Sequence, residues 1–364
     1  MQRTKHHIRL AAALLCCLPW LTACIDEEKY DNDPRGNFEQ LWKIIDERYC
    51  FLESKGIDWN AVHDRYSPLI VPTMTNQDLF DQLSEMLYTL RDGHVNLVSS
   101  SRVSYYDAWY QGYPWNYRKD ILYDHYLGTA SSGYRTSAGL KYKIFDNNIG
   151  YIRYESFSDG VGEGNLDEVL SYLATCNGLI IDVRDNGGGN LTYSTRIAAR
   201  FTNERTLTGY VQYKTGPGHD DFSPMQPIYL DPSNSIRWQK PVVVITNRRC
   251  YSATNDFVNI MRSLNKPGEP KRIVQLGDRT GGGGGLPFSS ELPNGWSIRF
   301  SASPYYDRDK RSLEEGIDPD VDIDMSDDDL AKNRDTLIEK AFEVLQLYPA
   351  TSLPNRKNSL SSRR

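Results

Sequence analysis

The sequence has little of what metal sites, nucleic-acid binding and membrane spans require. Its 364 residues include six cysteines and six histidines, and neither a C-x-x-C nor an H-E-x-x-H pattern occurs, so we expect neither a metal nor another cofactor. The 42 basic residues do not exceed the 48 acidic ones, which argues against a nucleic-acid partner. The mean hydropathy of −0.58 excludes a multi-span membrane protein. A chain with 39% hydrophobic and 25% charged residues is instead typical of one large or two modest globular domains.

The first 23 residues have the layout of a secretion signal. Three basic residues precede an apolar stretch, residues 10–21, that is too short to span a bilayer. The stretch ends in Leu-Thr-Ala-Cys, which resembles a bacterial lipobox with Cys24 as the lipidated first residue; an ordinary signal cleaved nearby is the alternative. Residues 24–36 are polar and predict a tether, whose acidic run resembles the export tag of Bacteroidetes surface lipoproteins. We therefore expect an outer-membrane lipoprotein of the cell envelope, periplasmic or surface-exposed, with acyl chains that bind the membrane.

Apolar spacing predicts the organisation of the remaining chain. A small helical N-terminal domain over residues 37–98 would contain helices at 37–50, 58–67 and 75–90, the last with Thr75 as N-cap and Asp78 in a capping box. Residues 99–140 connect this domain to a core, 141–349, and residues 350–364 form a disordered tail. Within the core we predict strands at 141–145, 149–154, 179–183, 242–246, 273–276 and 296–300, and helices at 165–175, 191–201, 253–264 and 328–347. Buried strands that alternate with helices indicate an α/β fold with much parallel pairing.

Three cysteines, Cys50, Cys176 and Cys250, follow the expected lipidation site. They allow one disulfide and one odd thiol, although scattered cysteines are more often simply buried. The stretch 105–117 is rich in Tyr and Trp and is either a packed aromatic loop or part of a binding surface.

Two segments join a buried strand to a helix through residues that could do chemistry. In the first, residues 179–190, three glycines (Gly187, Gly188 and Gly189) precede a helix. Backbone amides there could stabilise an anion or an oxyanion, but no G-K-[ST] follows, so a nucleotide-binding P-loop is excluded. A tight turn is the simpler interpretation.

In the second segment, residues 242–256, Ser252 lies between a buried strand and a helix. That position suits a nucleophile for acyl transfer, although the G-x-S-x-G pattern is absent and a plain helix N-cap is the alternative. Thr254 and Cys250 are weaker candidates for the nucleophile.

Together these segments resemble the C-terminal-processing (tail-specific) peptidases, the family that includes tricorn protease and the interphotoreceptor retinoid-binding protein. Further motifs occur in the family's order over residues 37–345: Asp92-Gly93-His94, the strand 150–154 with Phe157, the glycine-rich run 277–284, and Glu315-Gly316-Ile317-Asp318-Pro319-Asp320. The resemblance implies a ClpP/crotonase-like α/β core preceded by a small helical domain.

Two features depart from this family. The segment between residues 98 and 141 is too short for the usual PDZ domain, and Gly283 stands where the classical Ser-Lys members have their lysine. The resemblance therefore favours a tricorn-like arrangement in which Ser252 is the nucleophile and His94 the base. Glu315 or Glu314 would support the base; the sequence does not separate them.

The implied oxyanion donors are the amides of Gly188 and Ala253, within a loop shaped by Gly187 and Gly189. The expected function is a serine-type endopeptidase that cleaves peptides or unfolded proteins through an acyl-enzyme. A catalytically inactive peptide- or lipid-binding protein of the same fold is the alternative, and the oligomeric state stays open.

Overall fold

The structure is a computed structural model that describes residues 29–347. Its helices are α1 (Pro34–Arg48), α2 (Trp59–Tyr66), α3 (Asn76–Tyr88), α4 (Lys119–Ile121), α5 (Glu163–Tyr172), α6 (Leu191–Ala198), α7 (Ala253–Ser263), α8 (Asp327–Leu330) and α9 (Thr336–Gln346). Its strands are β1 (Asn96–Val98), β2 (Arg135–Ser137), β3 (Leu140–Ile144), β4 (Ile149–Tyr154), β5 (Gly178–Asp182), β6 (Thr206–Val211), β7 (Gln226–Leu230), β8 (Val242–Thr246), β9 (Ile273–Gly277), β10 (Gly285–Glu291), β11 (Ser297–Asp307) and β12 (Val321–Asp322). The expected signal, Cys24 and the C-terminal tail 350–364 lie outside the described residues.

The larger sheet places both chemical segments at one edge. Its strand order is β12-β9-β8-β5-β4-β3-β2, parallel from β12 to β4 and antiparallel at β3 and β2. Strands β5 and β8 are buried along their whole length and are neighbours, with Asp182 opposite Ile245. Because parallel strands end at the same edge, the glycine loop after β5 and the serine loop after β8 lie side by side.

The smaller sheet connects the N-terminal helices to the core. It has the order β1-β11-β6-β7, and β10 pairs with β11. Strand β1 follows the Asp92-Gly93-His94 turn and pairs antiparallel with β11, with Asn96 opposite Arg299. This pairing carries His94 toward the core.

The N-terminal helices pack on the smaller sheet. Helix α3 has the predicted capping box between Thr75 and Asp78, and its apolar face is buried. The cluster formed by α1, α2 and α3 also contains Ile298 and Phe300 of β11. The residues predicted as a helical domain therefore share their core with a strand from the far end of the chain.

Several regions differ from the sequence prediction. The helix expected over 328–347 is wrong: the chain forms α8 and α9, because Asp335 caps α9 through Leu337 and Ile338 and its carboxylate also pairs with buried Arg184. Strands β6, β7 and β10 were not predicted. Helix α1 begins at Pro34, inside the predicted tether.

Cys50, Cys176 and Cys250 are free and buried, so the disulfide interpretation is wrong for these cysteines.

Candidate active site

Ser252 lies in the turn between β8 and α7, as the sequence predicts. Its φ of 57° and ψ of −120° are strained for a serine. A hydrogen bond from the Ser252 amide to the Gly282 carbonyl (2.9 Å) holds this conformation. Ser252 occupies the N-cap position of α7, but its side chain makes no capping bond to the helix. Instead, Ser252 Oγ lies 2.9 Å from Nε2 of His94.

His94 is almost completely buried, with 4% of its surface exposed. Its backbone amide donates to Asp92 Oδ1 at 2.7 Å, which closes the turn before β1. Burial, together with the charges of Arg299 and Lys55, outweighs the charge of Asp92 and lowers the pKa of His94 to about 4. The ring is therefore neutral at physiological pH, the state in which Nε2 can accept a proton from a serine. Within residues 29–347, Nδ1 has no hydrogen-bond partner.

A buried cluster of charges lies behind His94. Lys55 donates to Glu314 Oε1 at 2.7 Å, and the amide of Gly284 donates to the other carboxylate oxygen at 3.0 Å. Burial and the nearby charge of Asp92 raise the pKa of Glu314, and the ion pair with Lys55 opposes this rise. Burial would also raise the pKa of Asp92, but the charge of Lys55 brings it below its usual value.

The structure separates the two glutamates that the sequence left open. Glu314 is 8% exposed and belongs to the buried cluster, whereas Glu315 lies on the surface. The sequence does not distinguish these adjacent glutamates, because they differ only in the direction of their side chains.

The predicted oxyanion donors differ in availability. The Gly188 amide already donates to Asn186 Oδ1 at 3.0 Å, and Gly187 is exposed. In the part of the chain that the structure describes, the amides of Gly189 and Ala253 donate to no other group. The Gly188 amide is thus occupied, whereas the amides of Gly187, Gly189 and Ala253 have no partner among the described residues, and their role as oxyanion donors stays a prediction.

Gly188 is required for another reason. Its φ is +101°, and an added Cβ would lie 2.8 Å from Ser252 Cβ and 2.9 Å from the Ala253 nitrogen. Only glycine allows the loop to approach the serine turn so closely.

A cavity of about 280 Å³ opens beside Ser252. It is lined by Gly189, Asn190, Leu191, Ser252, Asn255, Asp256, Gly283, Gly284, Gly285, Leu286, Pro287, Arg299, Tyr305 and Leu313. Its mixture of apolar walls and a few polar groups is typical of ligand pockets.

The place of the family's lysine is filled by an aromatic ring. A Cβ on Gly283 would lie 2.6 Å from Cζ of Tyr251. The Tyr251 ring also packs on His94, with centroids 5.0 Å apart, and stacks on Trp109 at 4.3 Å. Part of the aromatic stretch 105–117 is therefore packed against the site, while Trp115 stays 65% exposed.

The weaker nucleophile candidates are engaged elsewhere. Thr254 is buried and donates to Asn186 Oδ1 at 2.7 Å. Burial raises the pKa of Cys250 to about 12, which leaves its thiol protonated.

Sequence reasoning missed Lys55, Asp256 and Arg299. Lys55 lies in a turn that carries no motif, and its approach to Glu314 bridges 259 residues. Asp256 could have been found from its helical spacing of four residues from Ser252.

Between residues 29 and 347, no group of three or more His, Cys, Asp or Glu side chains is arranged to hold a metal ion. No helix among these residues has the length and apolarity to cross a membrane.

Comparisons with known proteins identify the family of the chain. The family model "Peptidase family S41" matches residues 148–323, and that of the tricorn protease C1 domain matches residues 30–88. A candidate peptidase from Parabacteroides merdae, whose crystal structure is known, is 53% identical over 89% of this chain and all of that chain, with a TM-score of 0.82.

More distant relatives match smaller parts. A chloroplastic C-terminal processing peptidase of Tetradesmus obliquus is 24% identical over 179 residues, 48% of this chain and 35% of that protein. The chain matches about a third of the length of the curated relatives. The crystal structure of the tricorn protease has the same fold, with a TM-score of 0.53 and 20% identity over 86% of this chain and 36% of that one. These matches confirm the family that the sequence motifs indicated. The chain belongs to peptidase family S41.

Proposed function

We propose that the protein is a serine endopeptidase in which Ser252 is the nucleophile and His94 the general base. The observation that carries the proposal is the 2.9 Å contact between Ser252 Oγ and Nε2 of a buried, neutral His94, at the wall of a cavity. Its substrates are peptides or unfolded protein segments that reach this cavity in an extended form.

The geometry supports an acyl-enzyme route. His94 Nε2 takes the proton as Ser252 Oγ attacks the peptide carbonyl, and the amides of Ala253 and Gly189 receive the developing oxyanion. The protonated His94 then gives its proton to the leaving amine, which departs and leaves an acyl ester on Ser252. Water, deprotonated by His94, hydrolyses the ester and restores the serine.

Glu314 acts as a positioning residue in this proposal. Its carboxylate connects Lys55 with the amide of Gly284, and Gly284 and Gly285 line the cavity. It thereby holds the glycine-rich loop against the site and does not touch the reacting atoms. The exposed Glu315 has no part.

The proposed location is the cell envelope, with a lipid on Cys24 that binds the outer membrane. The support is the lipobox-like sequence and the basic and apolar residues before it.

Cleavage of an unfolded protein tests the function against the binding-protein alternative. The wild type should degrade reduced, carboxymethylated casein, and Ser252→Ala should lower the rate by ~10⁴-fold or more. The exposed loop serine Ser100 provides the matched control, and Ser100→Ala should keep the wild-type rate. A folded wild type that binds casein but never cleaves it would favour the binding protein; cleavage by Ser252→Ala would reject the assigned nucleophile.

A further inference from the structure

A carboxylate faces the cavity next to the proposed nucleophile. Asp256 lies four residues after Ser252 on α7, and its amide donates to the Ser252 carbonyl at 3.0 Å. Oδ2 of Asp256 accepts a hydrogen bond from Ser194 at 2.8 Å, which fixes the carboxylate. Oδ1 accepts no hydrogen bond from the described residues, and the half-buried Asp256 is one of the residues that line the cavity.

The charge of Asp256 has no counter-ion in residues 29–347. Burial raises its pKa to about 6, opposed only by the hydrogen bond from Ser194. The group is therefore mostly ionised at neutral pH, although it lies in a poorly solvated place. An acidic residue in the first turn of a helix is favourable by itself. The helix dipole therefore explains why an acidic residue is tolerated in the first turn of α7. It does not explain why the carboxylate faces a cavity beside Ser252.

The walls around Asp256 are apolar. Leu191, Leu286, Tyr305 and Leu313 contribute to them. A substrate side chain with a long aliphatic stem and a terminal cation would fit both the apolar walls and the unpaired carboxylate. The stem packs on the walls and the cation pairs with Asp256. A purely apolar side chain would leave the charge unpaired, and an acidic one would be repelled.

Arg299 is the other charged residue that lines the cavity, and its charge acts on His94. Its charge lowers the pKa of His94, whereas the pKa of Asp256 responds to burial and Ser194. Its guanidinium donates to Asn96 Oδ1 at 3.2 Å. The part of the cavity near Asp256 is thus the negative part.

We propose that Asp256 is the specificity-determining residue of this site and selects substrates with Lys or Arg on the acyl side of the scissile bond. This inference rests on the proposed function. Four residues along a helix separate Cα atoms by about 6 Å, which is comparable with the reach of an extended lysine from the bond that Ser252 attacks. The ammonium or guanidinium would then meet Oδ1 of Asp256.

Matched peptides test the selection. In a series that differs only at that position, kcat/KM for Lys or Arg should exceed that for norleucine by about 10- to 100-fold, the range of a charge-assisted hydrogen bond. In Asp256→Asn the ratio should fall to about 1. Asp146→Asn makes the same chemical change in an exposed hairpin turn outside the cavity and should keep the wild-type ratio.

Binding to an inactive variant separates this inference from the proposed function. In Ser252→Ala, fluorescence anisotropy should show tighter binding of the Lys peptide than of the norleucine peptide, and the added Asp256→Asn change should abolish the difference. Equal binding of both peptides, or a preference that survives Asp256→Asn, overturns the inference whether or not the wild type cleaves. A binding preference without cleavage supports the inference and counts against the proposed function alone.

Discussion

The pH dependence of the Ser252–His94 pair follows from the burial of the histidine. Burial lowers the pKa of His94 from 6.5 to about 4, so the base stays neutral far into the acid range. At pH 5.5 a group of pKa 4 is about 97% neutral, whereas an unperturbed histidine of pKa 6.5 is about 9% neutral. The labelling of Ser252 by a small uncharged fluorophosphonate should therefore be nearly as fast at pH 5.5 as at pH 7.5, and its acid midpoint should lie near pH 4.

The same shift has a consequence for stability. Because the folded state prefers the neutral ring, His94 favours folding fully above pH 6.5 and loses that contribution as the pH falls toward 4. The shift corresponds to about 3 kcal/mol at 1.36 kcal/mol for each pKa unit. In urea unfolding experiments, His94→Gln should lose less stability than the wild type between pH 7 and pH 4.

The assay is the second-order labelling rate measured from pH 4 to pH 8. Asp256 titrates near pH 6 in the same cavity, so the measurement is repeated in Asp256→Asn, where the acid midpoint should stay near 4. A midpoint of 6 or above in both proteins would refute the argument, because it would mean that the base is not the buried ring.

Three further predictions concern the surroundings of the site. Gly283→Lys should not produce an active lysine and should destabilise the fold by about 1–3 kcal/mol, because the Tyr251 ring occupies the space; faster labelling of this variant would contradict this. Glu314→Ala should cost about 3 kcal/mol in urea unfolding, since it removes the carboxylate that pairs with the buried Lys55 ammonium and leaves the Gly284 amide unpaired, whereas Glu315→Ala should change stability by less than about 0.5 kcal/mol. Iodoacetamide should modify Cys250 only after denaturation, as peptide mapping would show, and rapid modification of the native protein would exclude its burial.

Local patterns were sufficient for the strands and helices that carry the site. Strand β8 was predicted at its observed bounds, and the start of α7 likewise, because an apolar run ends abruptly at a polar loop. Strands β6 and β10 lack such a run: β6 mixes buried and half-buried residues and β10 is mostly exposed, and both pair with strand β11, which is distant in sequence from β6. The helix break before Asp335 combines a local N-cap, which the sequence analysis overlooked, with a contact to distant Arg184 that no local pattern contains.

The site was predictable only in part. His94 and Ser252 are 158 residues apart, and the family motifs, not their spacing, brought them together. The choice between Glu314 and Glu315 required the direction of each side chain. The occupied amide of Gly188 depends on the orientation of Asn186, which sequence does not fix.

Intact-mass spectrometry after fluorophosphonate treatment tests the central claim most directly. The account predicts one adduct on the wild type, none on Ser252→Ala, and one on Ser100→Ala. An adduct on Ser252→Ala, or no adduct on a folded wild type, would contradict the claim that His94 activates Ser252.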